Sequence, residues 1–188
     1  MKYSVRALNM IKGFEKLRLV SYKAVASEKL WTVGYGHYGV KEHVTITKKE
    51  AEEYLLKDIC KAEKAVNRYN KKYSFNQNQY DALISFAFNV GSIKQLTRYG
   101  TRTKDEIGDA IILYIKSGGI ILNGLIRRRN LEYHLYNTPI NSVEKSASQL
   151  AKEVIAGKWG NGEERKINLE ACGYDYKLIQ KFVNILLN

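Results

Sequence analysis

The sequence predicts an α+β domain, made of a small antiparallel sheet and a mainly helical lobe, joined to a small three-helix bundle. Three observations lead to this prediction. Apolar residues recur at helical spacing through most of the first 136 residues. Residues 17–44 depart from that spacing, because apolar and polar residues alternate there among aromatics and glycines. Residues 147–188, which follow the only proline, contain three short helical patterns.

The first predicted helix covers residues 4–14, where apolar residues return every three or four positions. Glu15 follows at its C-terminal end. A carboxylate is unfavourable there, because the C-terminal end of the helix dipole is negative. A residue that opposes the local preference points to a function. Residues 17–44 then predict an antiparallel hairpin or a three-stranded sheet, with closely spaced glycines at 34, 36 and 39.

Capping boxes predict where later helices begin, since a Ser, Thr or Asn is followed three residues later by Glu or Gln. The pairs are Thr47 with Glu50, Asn76 with Gln79, Thr103 with Glu106, Ser146 with Gln149, and Asn161 with Glu164. Gly91 is predicted to end the second of these helices, and Gly118 with Gly119 to end the third. Further helices are predicted over residues 124–136 and from Asp175 onward.

Residues 138–146 are polar, contain the only proline and interrupt the helical spacing, so they predict a linker. The predicted organisation is a domain at 1–137, a linker at 138–146 and a module at 147–188. The net charge is +12, and residues 138–188 hold seven basic and six acidic residues, so nearly all the excess charge lies in the first domain. A basic surface favours polyanions, namely nucleic acid, anionic lipid or a bacterial wall, and charge does not choose among them.

Cysteines and histidines give no sign of a metal or a cofactor. Cys60 and Cys172 lie far apart and match no ligand spacing, so each is predicted to be a small buried hydrophobe, with Cys172 unreactive. His37, His43 and His134 form no ligand grouping with them. No apolar leader opens the chain, and no run approaches the roughly 18 apolar residues of a membrane-spanning helix. We therefore expect a protein without stable membrane insertion or a standard export signal.

Four blocks at residues 14–23, 31–39, 75–91 and 124–132 carry a resemblance to a known family. The first two read FEKLRLVSYK and WTVGYGHYG. In this order the blocks resemble glycoside hydrolase family 24, the phage lysozymes of the T-even and lambdoid type, whose usual form is E-G-x-x-L-x-x-Y followed by T-I-G-Y-G-H. The resemblance implies a lysozyme-like catalytic domain. It also implies a muramidase that hydrolyses the β-1,4 bond between N-acetylmuramic acid and N-acetylglucosamine.

Cleavage of a glycosidic bond needs an acid for the leaving oxygen and a group that stabilises the sugar cation. By the resemblance, Glu15 corresponds to the general acid and Thr32 to the threonine that positions the hydrolytic water. The family commonly has an Asp as second carboxylate, and Ala24 stands at that position here. We hypothesise that Glu28 takes its role; the alternative is that Glu28 is an exposed loop residue.

Tyr35, His37, Asn89 and Arg128 are the candidate substrate-binding residues within the matching blocks. Three of them have a structural alternative. His37 would brace the sheet, Tyr35 would pack in the core, and Arg128 would face inward to order the helical lobe. Tyr38 is a second candidate for stacking on a sugar.

The chemistry itself leaves alternatives. A single acid such as Glu15 also suffices for a lytic transglycosylase, in which a sugar hydroxyl replaces water. A chain without the second carboxylate is also consistent with a wall-binding protein that has lost catalysis. The charge alone would fit a nucleic-acid binder, although no motif supports one.

Residues 147–187 resemble a second family, the CW-seven type of wall-binding repeat. The strings GKWGNG and GYDY carry this resemblance. It implies binding of the disaccharide-peptide unit of peptidoglycan without choline. Trp159, Arg165 and Tyr176 are the predicted wall-binding residues. Trp159 would offer a flat face to a sugar ring, and Arg165 would bind a stem-peptide carboxylate. The alternative is that Trp159, Tyr174 and Tyr176 fill the core of a very small domain.

Together the two resemblances imply a phage endolysin that lyses the host cell. We expect a monomer that accumulates in the host cytoplasm and then acts on the cell wall. By resemblance, its release depends on a holin-type partner that opens the membrane.

Overall fold

The computed structural model describes residues 1–23, 28–140, 145–172 and 174–187, and it has the predicted α+β architecture. The first part contains α1 (Val5–Glu15), β1 (Arg18–Tyr22), β2 (Trp31–Gly34), β3 (His37–Val40), α2 (Lys48–Tyr73), α3 (Gln77–Val90), α4 (Lys104–Ile111), β4 (Lys116–Ser117), β5 (Ile120–Ile121) and α5 (Asn123–Asn137). The second part contains α6 (Ala147–Ile155), α7 (Gly162–Ala171) and α8 (Tyr176–Leu187).

Helix α1 leads directly into an antiparallel sheet of order β1-β2-β3. The Ser4 hydroxyl accepts a hydrogen bond from the Arg6 backbone N–H, which begins the helix one residue later than predicted. The helix ends at Glu15, because Lys16 adopts φ +48°. That backbone conformation favours glycine, and the usual family motif has glycine at the position that Lys16 occupies.

Helix α3 lies at the centre of the helical lobe and packs on α1, α2 and α5. Its residues from Tyr80 to Ala87 are buried on every face. Such a helix needs few polar residues, and the one serine in this stretch, Ser85, is used in the site below. The capping boxes predicted at Thr47, Asn76, Thr103 and Ser146 are all present.

One predicted helix end and one predicted capping box were wrong. Helix α4 ends at Ile111 rather than at the Gly118–Gly119 pair. Both glycines have positive φ and form the turn of the β4–β5 hairpin, so the pair is a hairpin signal and not a helix stop. Asn161 begins α7 without a capping bond, because its Oδ1 accepts instead from Arg165 Nη2 at 3.2 Å.

The three helices of the second part enclose their own small core. Its buried residues are Leu150, Ala151, Val154, Leu169, Ile179 and Val183. Helix α7 also packs against α1 of the first part. Residues 141–144 lie outside the described residues, so the linker at 138–146 and the domain bounds around it stay predictions.

Candidate active site

Glu15 lies where the end of α1 meets the sheet, and two neighbours fix its carboxyl group. Arg128 Nη1 donates to Glu15 Oε1 at 2.5 Å, and the guanidinium also lies over the Phe14 ring at 4.8 Å. On the other side, a Cβ added to Gly36 would lie 3.2 Å from Glu15 Oε2. Gly36 has φ +84°, so another residue would be strained there, and its Cβ would also crowd the Glu15 carboxyl. The Glu15 side chain is 21% exposed, which leaves part of it open to a ligand.

Arg128 belongs to a buried ionic network that holds α5 against α3. Its Nε donates to Glu132 Oε1 at 3.1 Å, and its Nη2 donates to the Ser85 carbonyl at 2.9 Å. The Ser85 hydroxyl donates to the same Glu132 oxygen at 2.7 Å. Arg129 Nη1 donates to the other Glu132 oxygen, and Arg129 Nη2 donates to Asn89 Oδ1.

This network is buried, with the Arg128 side chain 5% exposed and Glu132 fully covered. Burial lowers the pKa of the Arg129 guanidinium, and the Glu132 carboxylate opposes that effect. Arg128 and Arg129 share the single carboxylate of Glu132, so the three groups together carry a net positive charge. Arg128 places that charge next to Glu15. The network thus connects the predicted acid to the centre of the helical lobe.

The Tyr22 phenol, on β1, interacts electrostatically with Glu15, and the sequence reasoning did not single this residue out. Burial raises the pKa of its phenol, the Arg18 cation lowers it, and the carboxylates of Glu15 and Glu28 raise it further. The Arg18 guanidinium lies over the Tyr22 ring at 4.4 Å. Both carboxylates therefore act on one phenol, so Glu28 lies within electrostatic range of the Glu15 end of the sheet. A tyrosine at the matching place in the first block was the signal that could have identified it.

Thr32 lies across from Tyr22 in the β1–β2 ladder. Partners in an antiparallel ladder point to the same face of the sheet, so Thr32 shares the face of Tyr22. Its neighbour Val33 points to the opposite face and into the core. Glu28 itself is partly buried. Residue Ala24, where the family's second carboxylate is expected, lies outside the described residues.

The remaining candidates in the sheet are held by packing. His37 Nδ1 lies 2.7 Å from Asp58 Oδ2, and its ring stacks on Tyr54 at 4.3 Å, so His37 ties β3 to α2. The Tyr35 ring is 7% exposed and lies in the core. These placements favour the structural roles that the sequence left open for both residues. Tyr38, by contrast, is 51% exposed.

Asn89 and Arg128 were predicted to bind substrate, and both instead make contacts within the protein. Asn89 is exposed, but its Oδ1 accepts from Arg129, while Arg128 bonds Glu15, Glu132 and Ser85. Their direct contact with a substrate stays a prediction.

In the second part, the predicted wall-binding residues contribute to the fold. Trp159 Nε1 donates to Glu153 Oε2 at 3.1 Å, and its ring meets Tyr174 edge to face. Tyr176 is partly buried against the small core. Arg165 donates to the Gly160 carbonyl, Gln180 and Asn161 at 3.1–3.2 Å. A stem-peptide carboxylate would therefore compete with these bonds for Arg165, and its binding role stays a prediction.

The cysteines differ from each other. Cys60 is exposed on α2, so the prediction that it is buried was wrong: it follows the buried Ile59 and falls on the outer side of the helix. Cys172 is partly buried, and burial raises the pKa of its thiol to about 11, which agrees with an unreactive thiol.

The described residues contain no group of three or more His, Cys, Asp or Glu suited to a metal ion. No helix among the described residues has the length and apolar character needed to cross a membrane.

A sheet of three short strands, a helical lobe and a glutamate between them define a lysozyme-like protein. Comparison with solved structures agrees. The muramidase domain of SpmX from Asticaccaulis excentricus superposes with a TM-score of 0.64 at 31% identity, covering 73% of this chain and 99% of that one. The endolysin from Escherichia coli O157:H7 phage FAHEc1 gives a TM-score of 0.62 at 31% identity, covering 78% and 98%.

The chain belongs to the phage lysozyme family, whose model matches residues 12–132. It is thus a member of a family of lysozyme-type glycoside hydrolases. A CW_7 repeat matches residues 148–187, which confirms the predicted order of the two parts. The endolysin of Lactococcus phage c2 is 39% identical over 150 residues, covering 79% of this chain. This chain spans 66% of that relative's length.

Proposed function

We propose that this protein is an endolysin that hydrolyses the β-1,4 bond between N-acetylmuramic acid and N-acetylglucosamine in peptidoglycan, with Glu15 as the general acid. The observation that carries the proposal is the setting of Glu15. Its carboxyl is partly exposed, held by Arg128 and approached by the Gly36 turn. Membership of the phage lysozyme family and the CW_7 repeat support peptidoglycan as the substrate.

In this proposal, Glu15 donates its proton to the glycosidic oxygen as the bond to the sugar breaks. Arg128 acts as a positioning residue, because its bond to Oε1 fixes the carboxyl while Oε2 faces Gly36. Thr32, on the same face of the sheet as Tyr22, positions the attacking water. The water that adds to the sugar cation loses one proton, and the Glu15 carboxylate takes up one proton, so both products carry a hydroxyl group and the acid is restored.

The products of digestion test the reaction itself. A purified wall treated with the enzyme is expected to release fragments that end in a reducing N-acetylmuramic acid. Mass spectrometry of the fragments, before and after borohydride reduction, measures this. Fragments lighter by one water and resistant to reduction would show a transglycosylase and contradict hydrolysis. Absence of soluble fragments at any enzyme concentration would indicate a protein that binds the wall without cutting it.

Glu28 is proposed as the second carboxylate, which stabilises the sugar cation or orients the water. Its support is electrostatic: the Glu28 and Glu15 charges act on the same Tyr22 phenol. We expect Glu28→Gln to lower kcat by about 100-fold or more, because the charge that opposes the cation is lost. The measurement is initial turbidity loss of purified walls across substrate concentrations, with the exposed Glu42→Gln as the matched control. Turnover near that of the parent protein would show that Glu28 is a loop residue without a catalytic role.

The CW_7 repeat is proposed to hold the enzyme on its polymer. Tethering of this kind raises the local concentration of substrate without new contacts at the reacting bond. Action at the cell wall agrees with this repeat. Accumulation in the host cytoplasm, release by a holin-type partner and a monomeric state stay predictions.

A further inference from the structure

A cavity of about 780 Å³ lies between the first and second parts of the molecule, on the other side of α5 from the Glu15 network. Its walls come from α1 and α5 on one side, and from α6, α7 and the adjoining turns on the other. Arg127 lines this cavity, whereas its neighbours Arg128 and Arg129 enter the buried network. Cavities of this size accommodate small molecules or short segments of a polymer.

The walls of the cavity carry an excess of positive charge. Arg6, Arg127 and Lys158 line it together with Lys145. The carboxylate of Glu153 is already engaged, since it accepts from Lys145 Nζ at 2.5 Å and from Trp159 Nε1 at 3.1 Å. The other lining carboxylate, Glu164, is exposed. The remaining cations favour a ligand that carries negative charge.

Two residues that line the cavity each carry a buried polar atom without a hydrogen-bond partner. Within the described part of the chain these are Arg127 Nε, from the α5 wall, and Asn168 Oδ1, from the α7 wall. The Asn168 amide is oriented by its other atom, because Nδ2 donates to the Trp159 carbonyl at 3.1 Å. Buried polar groups are rarely left unpaired. A ligand would therefore supply an acceptor for the Arg127 donor on one wall and a donor for the Asn168 acceptor on the other.

We propose that this cavity is a second binding site, shared by the lysozyme domain and the CW_7 repeat, for an acidic stem peptide of peptidoglycan. A peptide carboxylate would accept from Arg127, and a peptide N–H would donate to Asn168 Oδ1. Apolar side chains of Ile126 and Trp159 line the space between for the alkyl parts of the peptide. A phosphate polymer satisfies the cations but supplies no amide donor to Asn168. The inference rests on peptidoglycan being the substrate, as proposed above.

The test is calorimetric titration of the full chain carrying Glu15→Gln, the same variant that tests the proposed chemistry. The probe is a disaccharide-tetrapeptide prepared from peptidoglycan, compared with the same disaccharide without the peptide. We expect the peptide-bearing fragment to bind, and Arg127→Gln to raise its Kd at least tenfold. Arg68→Gln, at an exposed arginine of α2 outside the cavity lining, is the matched control and should leave Kd unchanged.

A modification of the ligand gives a second measurement that does not depend on protein folding. Amidation of the peptide carboxylates should weaken binding to the parent chain as much as Arg127→Gln does, and the two changes together should not add. Equal Kd values for parent and Arg127→Gln, or equal binding of the peptide-free disaccharide, would overturn the site. Tighter Arg127-dependent binding of a glycerol-phosphate polymer would overturn the stem peptide as its ligand.

The same samples keep the two proposals apart. If Glu15→Gln still digests walls at the parent rate, the proposed chemistry fails, whatever the titration gives. If Glu15→Gln is inactive and Arg127→Gln binds the fragment normally, only the second site fails.

Discussion

Glu15→Gln is expected to lower kcat for wall digestion by about 10²–10⁴-fold, the usual contribution of a general acid. The amide has the shape of the carboxyl but no proton to give to the leaving oxygen. Its carbonyl oxygen still accepts from Arg128, so the site should keep its arrangement. The measurement is the initial rate of turbidity loss, together with the count of reducing ends released per enzyme.

Two controls accompany this substitution. Glu53→Gln makes the same chemical change at an exposed position of α2 and should leave the rate unchanged. The Tm of Glu15→Gln should stay close to that of the parent, which separates lost chemistry from lost fold. If the variant digests walls at the parent rate, Glu15 is not the general acid.

Glu132→Gln is expected to lower the free energy of unfolding by about 3–5 kcal/mol, which corresponds to a fall in Tm of roughly 10 °C. Glu132 is fully buried and balances Arg128 and Arg129. The amide leaves Arg129 in the core without an anion and leaves Arg128 with Glu15 as its only anionic partner, and its NH₂ group faces one of the two guanidinium groups. Calorimetric melting of the full chain measures the change.

Glu52→Gln is the comparison for this second prediction. Glu52 pairs with Lys12 at 2.9 Å at the surface, where water and salt screen the pair, so its loss should change Tm far less. Activity of Glu132→Gln should also fall, because Arg128 loses the partner that fixes it toward Glu15. An unchanged Tm would mean that the network is not the support of the helical lobe.

The sequence predicted the helix starts that a short local pattern determines. It missed the contacts in which another side chain competes with that pattern or lies far away in the chain. The capping boxes at Thr47, Asn76 and Thr103 needed only residues three positions apart. At Asn161 the same pattern failed, because Arg165 competes for the side chain that should have capped the helix. A local pattern does not record such competition.

The network at Glu15 shows the same limit at longer range. The resemblance to the lysozyme family identified Glu15 and an inward-facing Arg128, which lie 113 residues apart in the chain. It did not reveal that Ser85 and Glu132 anchor the arginine, because nothing in the sequence pairs α3 with α5. A hydroxyl within the apolar run of α3, and a glutamate four residues after Arg128, were the available signals.

Helix α5 faces the buried network on one side and the cavity on the other, while α1 packs against α7. This has a practical consequence for building chimaeric lysins by exchanging C-terminal repeats. Such an exchange affects more than the connecting segment, because Arg6 and Arg127 of the recipient lysozyme domain would contact the incoming repeat. A transplanted repeat should work best when these outward-facing positions are copied from its donor.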